Sequence, residues 1–167
     1  MKKIVRNIIN EQNDENIAIT SKDNTPLYYK DLKKLIGNIS SQLAAKSITS
    51  KDRAAIVLPN GPYMATSFLA ISSYMSAAPL NPNYKSEEFE FYLQDLKPKI
   101  IIVDAGSKNP VVDVAKKIGI TLVELKIKKN SPTGVFDLFD KQSEYTLPEE
   151  KDEALVLHTS GTTSRPK

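Results

Sequence analysis

Apolar positions along the chain change period repeatedly, and the changes mark out alternating strands and helices. Residues 17–20 and 27–29 are short extended runs on either side of Lys22-Asp23-Asn24-Thr25-Pro26, whose turn chemistry predicts a hairpin. From Asp31 onward Leu32, Leu35, Ile36, Ile39 and Leu43 recur at helical spacing, with Lys33, Lys34, Asn38 and Gln42 on the other face. This predicts an amphipathic helix ending near Ser47. Residues 53–58 form an apolar run halted by Pro59-Asn60-Gly61-Pro62, and Pro62 suits the first position of a helix, where an N–H would have no partner. The helix that follows, over 63–74, carries Met64, Ala65, Phe68, Leu69, Ala70 and Ile71 without a charge, which predicts burial on most faces.

Residues 77–84 are too rich in Pro for a long central strand and lead to Ser86 as N-cap, with Glu87 and Glu88 complementing the positive first turn of a helix. Its stripe is Phe89, Tyr92, Leu93 and Leu96, and Pro98 stops it. Residues 99–104 read as a fully buried strand, 111–118 as a short helix capped by Gly119, and 120–125 as a further strand. Residues 126–152 are polar and punctuated by Pro132, Gly134 and Pro148, which predicts a surface connection with one short turn of helix at the apolar island 135–139. A last strand, 154–157, delivers the terminal run at its carboxyl end, where open α/β sheets place ligands. The alternation predicts an α/β fold, a mainly parallel sheet with helices on both faces. Tyr63, Phe68, Phe89 and Tyr92 sit at helical spacing as core residues, and Asn60 and Asn81 read as turn residues.

A length of 167 residues suits one domain, read here as a polar leader over 1–16 and a folded part over 17–167. Lys and Arg number 23 against 20 Asp and Glu, with neither sign in a long block, which argues against nucleic-acid binding. No cysteine is present and His158 is the sole histidine, so thiolate and histidine metal sites are not expected. Charge interrupts the first nine residues, no signal-peptide core forms, and no apolar run approaches the roughly 20 residues that span a bilayer. A cytoplasmic context is the expectation.

The terminal run His158-Thr159-Ser160-Gly161-Thr162-Thr163-Ser164-Arg165-Pro166-Lys167 has the composition of an anion cradle: small residues expose backbone N–H groups, hydroxyls donate, and cations supply countercharge. Gly161 and Lys167 have the separation of the first Gly and the Lys in the P-loop of ATPases and GTPases, but Pro166 stands where the second Gly belongs and offers no N–H. No G-x-G-x-x-G or G-x-S-x-G occurs. Composition alone leaves a linker-like tail open beside the phosphate loop.

Thr159-Ser160-Gly161-Thr162-Thr163-Ser164-Arg165-Pro166-Lys167 resembles the phosphate-loop signature of the adenylate-forming (AMP-binding) enzymes: acyl-CoA synthetases, adenylation domains and luciferases, with the pattern T-S-G-T-T-G-x-P-K. Ile56-Val57-Leu58-Pro59-Asn60-Gly61-Pro62, Ala77-Ala78-Pro79-Leu80-Asn81-Pro82-Asn83-Tyr84 and Glu87-Glu88-Phe89-Glu90-Phe91-Tyr92-Leu93 resemble stretches of those synthetases in the same order. The likeness runs from about Ile17 to Lys167. It departs at Ser164, where Gly is common, and at His158, where an aromatic residue is usual; both departures resemble the oxalate-CoA ligase and peroxisomal-CoA-synthetase-like branch. A Ser with φ > 0 at 164 would cost about 1–2 kcal/mol that Gly would not.

The resemblance implies a ligase that activates a carboxylic acid with ATP, giving an acyl-adenylate and pyrophosphate, and passes the acyl group to CoA. It implies that Thr159, Ser160, Gly161, Thr162, Thr163 and Lys167 hold the β- and γ-phosphates, hydroxyls and amides donating while Lys167 neutralises the departing pyrophosphate. Arg165 reads as a solvated charge that could assist. His158 faces the ligand pocket or fills space at a strand end, and the second reading is the simpler. In this family the adenine and ribose segments, the acidic residues for Mg²⁺, the acyl pocket and the catalytic Lys of a C-terminal domain all follow the loop. The expectation is therefore an amino-terminal portion that alone neither adenylates an acid nor binds ATP tightly, holds no catalytic residue, and self-associates through exposed faces. A peroxisomal address is the alternative localisation for a eukaryotic parent. A stand-alone nucleotide-binding module and a non-enzymatic interaction domain are the alternative functions.

Overall fold

The computed structural model describes residues 3–22 and 24–158. Two extended segments, β1 (Ile17–Ser21) and β2 (Asn24–Tyr28), pair antiparallel as the expected hairpin. The chain passes directly into α2 (Tyr29–Ala44), two residues earlier than the apolar stripe alone indicates. Preceding the hairpin is α1 (Val5–Asn10), which the sequence pattern did not suggest; it is short, and Ile4 and Ile9 are its buried anchors.

Four parallel strands form the main sheet: β3 (Arg53–Val57), β4 (Ser76–Pro79), β5 (Ile100–Val103) and β6 (Thr121–Glu124), in the spatial order β4-β3-β5-β6. Helix α3 (Pro62–Ser72) links β3 to β4, α4 (Ser86–Leu96) links β4 to β5, and α5 (Val111–Ile118) links β5 to β6. The α/β expectation is met, and chain order reverses between β3 and β5. β4 has four residues, as β5 and β6 do, and ends on Pro79.

The two faces of the sheet divide by strand periodicity. Ala54, Ile56, Ala77, Ile100 and Ile102 pack with α2 and α3, whereas Ala55, Val57, Ala78, Ile101 and Val103 pack with Phe89, Leu93 and Leu96 of α4 and Val111, Val114 and Ala115 of α5. Burial on both faces is why these strands read as continuous apolar runs. Lys85, not Ser86, is the N-cap of α4; Glu88 Oε2 accepts its backbone N–H at 2.9 Å, so the acidic first turn closes back on the chain before Ser86. Gly119 ends α5 in the left-handed conformation at φ 76°, as expected of a C-terminal glycine.

Within the expected surface connection, 126–130 and 140–144 are exposed, but the stretch 133–139 departs from it. No helical turn forms at 135–139; Phe136 and Leu138, each 2% exposed, alternate with Asp137, and Lys126 and Asp137 make an antiparallel bridge. The island follows a period of two, that of extended chain, and it closes over α2 as part of the core. Gln42, assigned to the polar face by pattern, is buried there: its Nε2 donates to Asp137 Oδ1 at 2.7 Å and its Oε1 accepts from the Leu138 and Phe139 amides at 2.7 and 3.0 Å.

Candidate functional site

The expected phosphate-binding residues Thr159, Ser160, Gly161, Thr162, Thr163 and Lys167 lie outside the described residues, as do Ser164 and Arg165. What is described is the segment that leads to them. Residues 154–156 lie along the free edge of β4: Ala77 donates its amide to the Ala154 carbonyl at 3.0 Å, Val156 donates to the Ala77 carbonyl at 2.9 Å, and Leu155 bridges Ala77 in parallel. The expected strand 154–157 is thus a single parallel bridge, a fifth member of the sheet in direction and position. Val156 turns inward beside the α4 core, while Leu155 and Leu157 are exposed.

With so few backbone bonds, side chains do most of the fastening. At the amino-terminal side, Asp152 accepts from Ser50 Oγ and from the Glu149 amide, both at 2.9 Å, and pairs with Lys51 Nζ. Lys51 and the Glu149 amide hold the Asp152 carboxyl down to about 2. Glu153 takes Arg53 through two nitrogens, Nε to Oε1 at 2.7 Å and a terminal nitrogen to Oε2 at 3.1 Å, and its Oε1 also accepts from Ser76 Oγ at 2.7 Å. Arg53 and Ser76 keep the Glu153 carboxyl below its ordinary range against partial burial. Arg53 and Ser76 begin β3 and β4, so this latch binds the segment to the base of both strands.

His158 closes the segment. Its Nε2 donates to Asp95 Oδ2 at 2.9 Å, and its ring meets Tyr92 edge-on with centroids 4.7 Å apart. Tyr92 is stacked in turn on Tyr84 at 4.9 Å, which meets Phe89 at 5.8 Å. Burial and the contact with Tyr92 push the Tyr84 hydroxyl up to about 12. Of the two readings of His158, packing at a strand end is the one observed, with the addition of a carboxylate partner. Phe89 and Tyr92 are core residues as expected, and Tyr63 and Phe68 are partly buried against the other face.

The loops after β3 and β4 enclose a cavity of about 510 Å³ lined by Leu58, Asn60, Met64, Leu80, Asn81 and Asn83 among others. At the adjacent reversal of strand order Asp104 directly follows β5, and burial pushes its carboxyl up. Sequence reasoning passed over the latch and Asp95 altogether. Lys51, Arg53, Asp152 and Glu153 carry no local signal of pairing because their partners lie about 100 residues away in the chain; the one local hint was a run of five charges directly before the last apolar run.

Comparison with known proteins agrees with this geometry. The family model described as AMP-binding enzyme matches residues 7–167. An oxalate–CoA ligase of Saccharomyces cerevisiae is 31% identical over 187 residues, covering 92% of this chain and 34% of the ligase, and an oxalate–CoA ligase of Arabidopsis thaliana is 35% identical over 158 residues, covering 90% and 30%. The chain therefore spans about a third of the length of these relatives. The crystal structure of apo MatB from Rhodopseudomonas palustris superposes with a TM-score of 0.78 at 22% identity, over 99% of this chain and 34% of MatB, a likeness of fold. The loop signature, the sheet order and the match from residue 7 to residue 167 converge: this chain belongs to the AMP-binding enzyme family.

Proposed function

We propose that the chain is the phosphate-loop portion of an AMP-forming acyl-CoA synthetase. Such a ligase activates a carboxylic acid at the α-phosphate of ATP, releases pyrophosphate and transfers the acyl group to CoA; Mg²⁺ would accompany the nucleotide. The observation that carries the reading is the parallel bridge between Leu155 and Ala77, which makes the segment ahead of Thr159 an added strand of an α/β sheet rather than a tail. Hydroxyls and amides of Thr159, Ser160, Gly161, Thr162 and Thr163 would donate to β- and γ-phosphate oxygens, and the Lys167 ammonium would balance the charge that builds on the departing pyrophosphate. The described residues contribute by fixing the direction from which that loop starts.

The reading is tested by acid-dependent ATP–pyrophosphate exchange in the polypeptide extended past Lys167, with oxalate among the acids supplied because the relatives above are oxalate–CoA ligases. Exchange that falls by at least a hundredfold in Lys167→Ala supports it. Exchange that survives Lys167→Ala would remove Lys167 from the phosphate-binding role, whereas absence of exchange with every acid, while nucleotide binding persists and is lost in Lys167→Ala, favours a nucleotide-binding module instead. The 167-residue chain alone is expected to show no micromolar affinity for Mg-ATP in calorimetry, since the loop supplies only part of a nucleotide site. Among the described residues no helix is long and apolar enough to cross a membrane.

A further inference from the structure

We propose that Asp95 and Tyr92 of α4 are positioning residues for the phosphate loop, acting through His158; this rests on the phosphate-loop reading above. His158 is the last residue before Thr159. The backbone bonds between the segment and β4 are those of Ala154 and Val156 with Ala77, and beyond Val156 it is the His158 side chain that ties the described chain down. That side chain is only 7% exposed although Leu157 beside it is 62% exposed. The ring is therefore a seated anchor, and the loop begins one peptide bond from it.

Both partners suit a platform. Tyr92 is held by the stack on Tyr84 and cannot yield without disturbing Phe89 and the α4 core. Asp95 has the opposite character: its side chain is 68% exposed, and its carboxylate has no other partner among the described residues. It stands in the last turn of α4, where the helix dipole disfavours negative charge. Neither packing nor helix stability accounts for a carboxylate there, whereas the contact with His158 does. Because a shift of about 1 Å in a phosphate-holding group is enough to cost a large factor in rate, fixing the root of the loop has catalytic consequence. Among the described residues, the groups hydrogen-bonded to or packed edge-on against the ring are Asp95 and Tyr92, with Tyr84 and Glu88 behind them.

The test is amide NMR of the 167-residue chain, following residues 159–163 in the wild type, Asp95→Ala, Asp95→Asn, His158→Ala and the Asp95→Ala/His158→Ala pair. Asp95→Ala is expected to displace the loop amides in the same direction as His158→Ala, the pair to displace them no further than His158→Ala alone, and Asp95→Asn to restore them, because an amide oxygen accepts the same N–H. Unmoved signals for Phe89 and Leu93 show that α4 itself is intact. Loop amides unaffected by Asp95→Ala, additive displacement in the pair, or no recovery in Asp95→Asn would each overturn the proposal. Titration of the same samples with inorganic tripolyphosphate reads the loop chemistry separately: about three- to fivefold weaker binding is expected in Asp95→Ala. A wild-type chain indifferent to tripolyphosphate counts against the phosphate-loop reading, while the amide displacements still decide the role of Asp95.

Discussion

Replacing Gln42 by Leu removes three hydrogen bonds at one stroke from a position 2% exposed. The Leu138 amide loses its acceptor in a fully buried setting, which costs about 1–3 kcal/mol, and the part-buried Phe139 amide loses the same acceptor at the lower end of that range because water can reach it. Asp137 loses a donor but keeps Lys128 at 2.8 Å. Leu adds apolar contact worth about 1 kcal/mol, so the net expected loss is about 1–3 kcal/mol. Urea unfolding followed by circular dichroism measures this, with the slope unchanged, and melting should drop by about 2–12 °C for a chain of this size. Gln42→Glu sharpens the test, since a carboxylate accepts both amides but faces the Asp137 carboxylate; pairing it with Asp137→Asn should recover most of its deficit. A Gln42→Leu protein within about 0.5 kcal/mol of wild type would refute the claim that residues 135–139 are pinned to α2 through this side chain.

Acid should loosen the latch before the sheet. Asp152 and Glu153 titrate below their unfolded values, so their contribution to holding the segment is present above roughly pH 4 and disappears as pH falls, for Asp152 through about 2; Asp152→Asn should abolish that part of the pH dependence of Val156 amide exchange, and an unchanged exchange profile would contradict the latch. Phe136→Ala should cost about 3–5 kcal/mol in denaturant unfolding, whereas a surface loop would lose under 1 kcal/mol. Gly134→Ala should cost about 2 kcal/mol, because φ is 75° there and an added Cβ would come 2.7 Å from Thr66 Cγ2; combining it with Thr66→Ser should return a fraction of the loss. The isolated chain should self-associate through the exposed edge carrying Leu155 and Leu157, and a Leu155→Lys/Leu157→Lys variant should sediment as a smaller species.

The elements were legible where one local signal sufficed. α5 follows its apolar spacing and Gly119, α3 begins at Pro62, and β5 is the uncharged run before Asp104. Legibility failed where the deciding partner was remote in sequence. Gln42 is polar and sat opposite the apolar stripe, yet segment 135–139 arrives from about 95 residues away to bury it. Phe136 and Leu138 were misread because five residues show too few repeats to separate a helical period from an extended one. The phosphate loop was visible as a motif, since its chemistry is written in consecutive residues. Its supports were not, because Lys51, Arg53 and Asp95 carry meaning only once residues 152–158 lie beside them.

That distribution follows from how a sheet edge receives a short added strand. The bridge between Ala77 and Leu155 makes two backbone hydrogen bonds, worth about 1–3 kcal/mol together, which falls short of the entropy of fixing three residues at about 1–2 kcal/mol each. The segment holds its place only if contacts outside the backbone ladder make up the difference. The ion pairs at Lys51 and Arg53 are partly exposed and each contribute at most about 1 kcal/mol, and inward packing of Val156 adds about as much. Stability of the docked strand is therefore divided among several small terms with no dominant one. Single substitutions in the latch should shift the strand's local opening, seen as faster exchange of the Val156 amide, while leaving global unfolding nearly unchanged. Global unfolding that drops by several kcal/mol on Glu153→Gln would mean that the edge strand is integral to the core, and the picture of a separately fastened loop carrier would have to be abandoned.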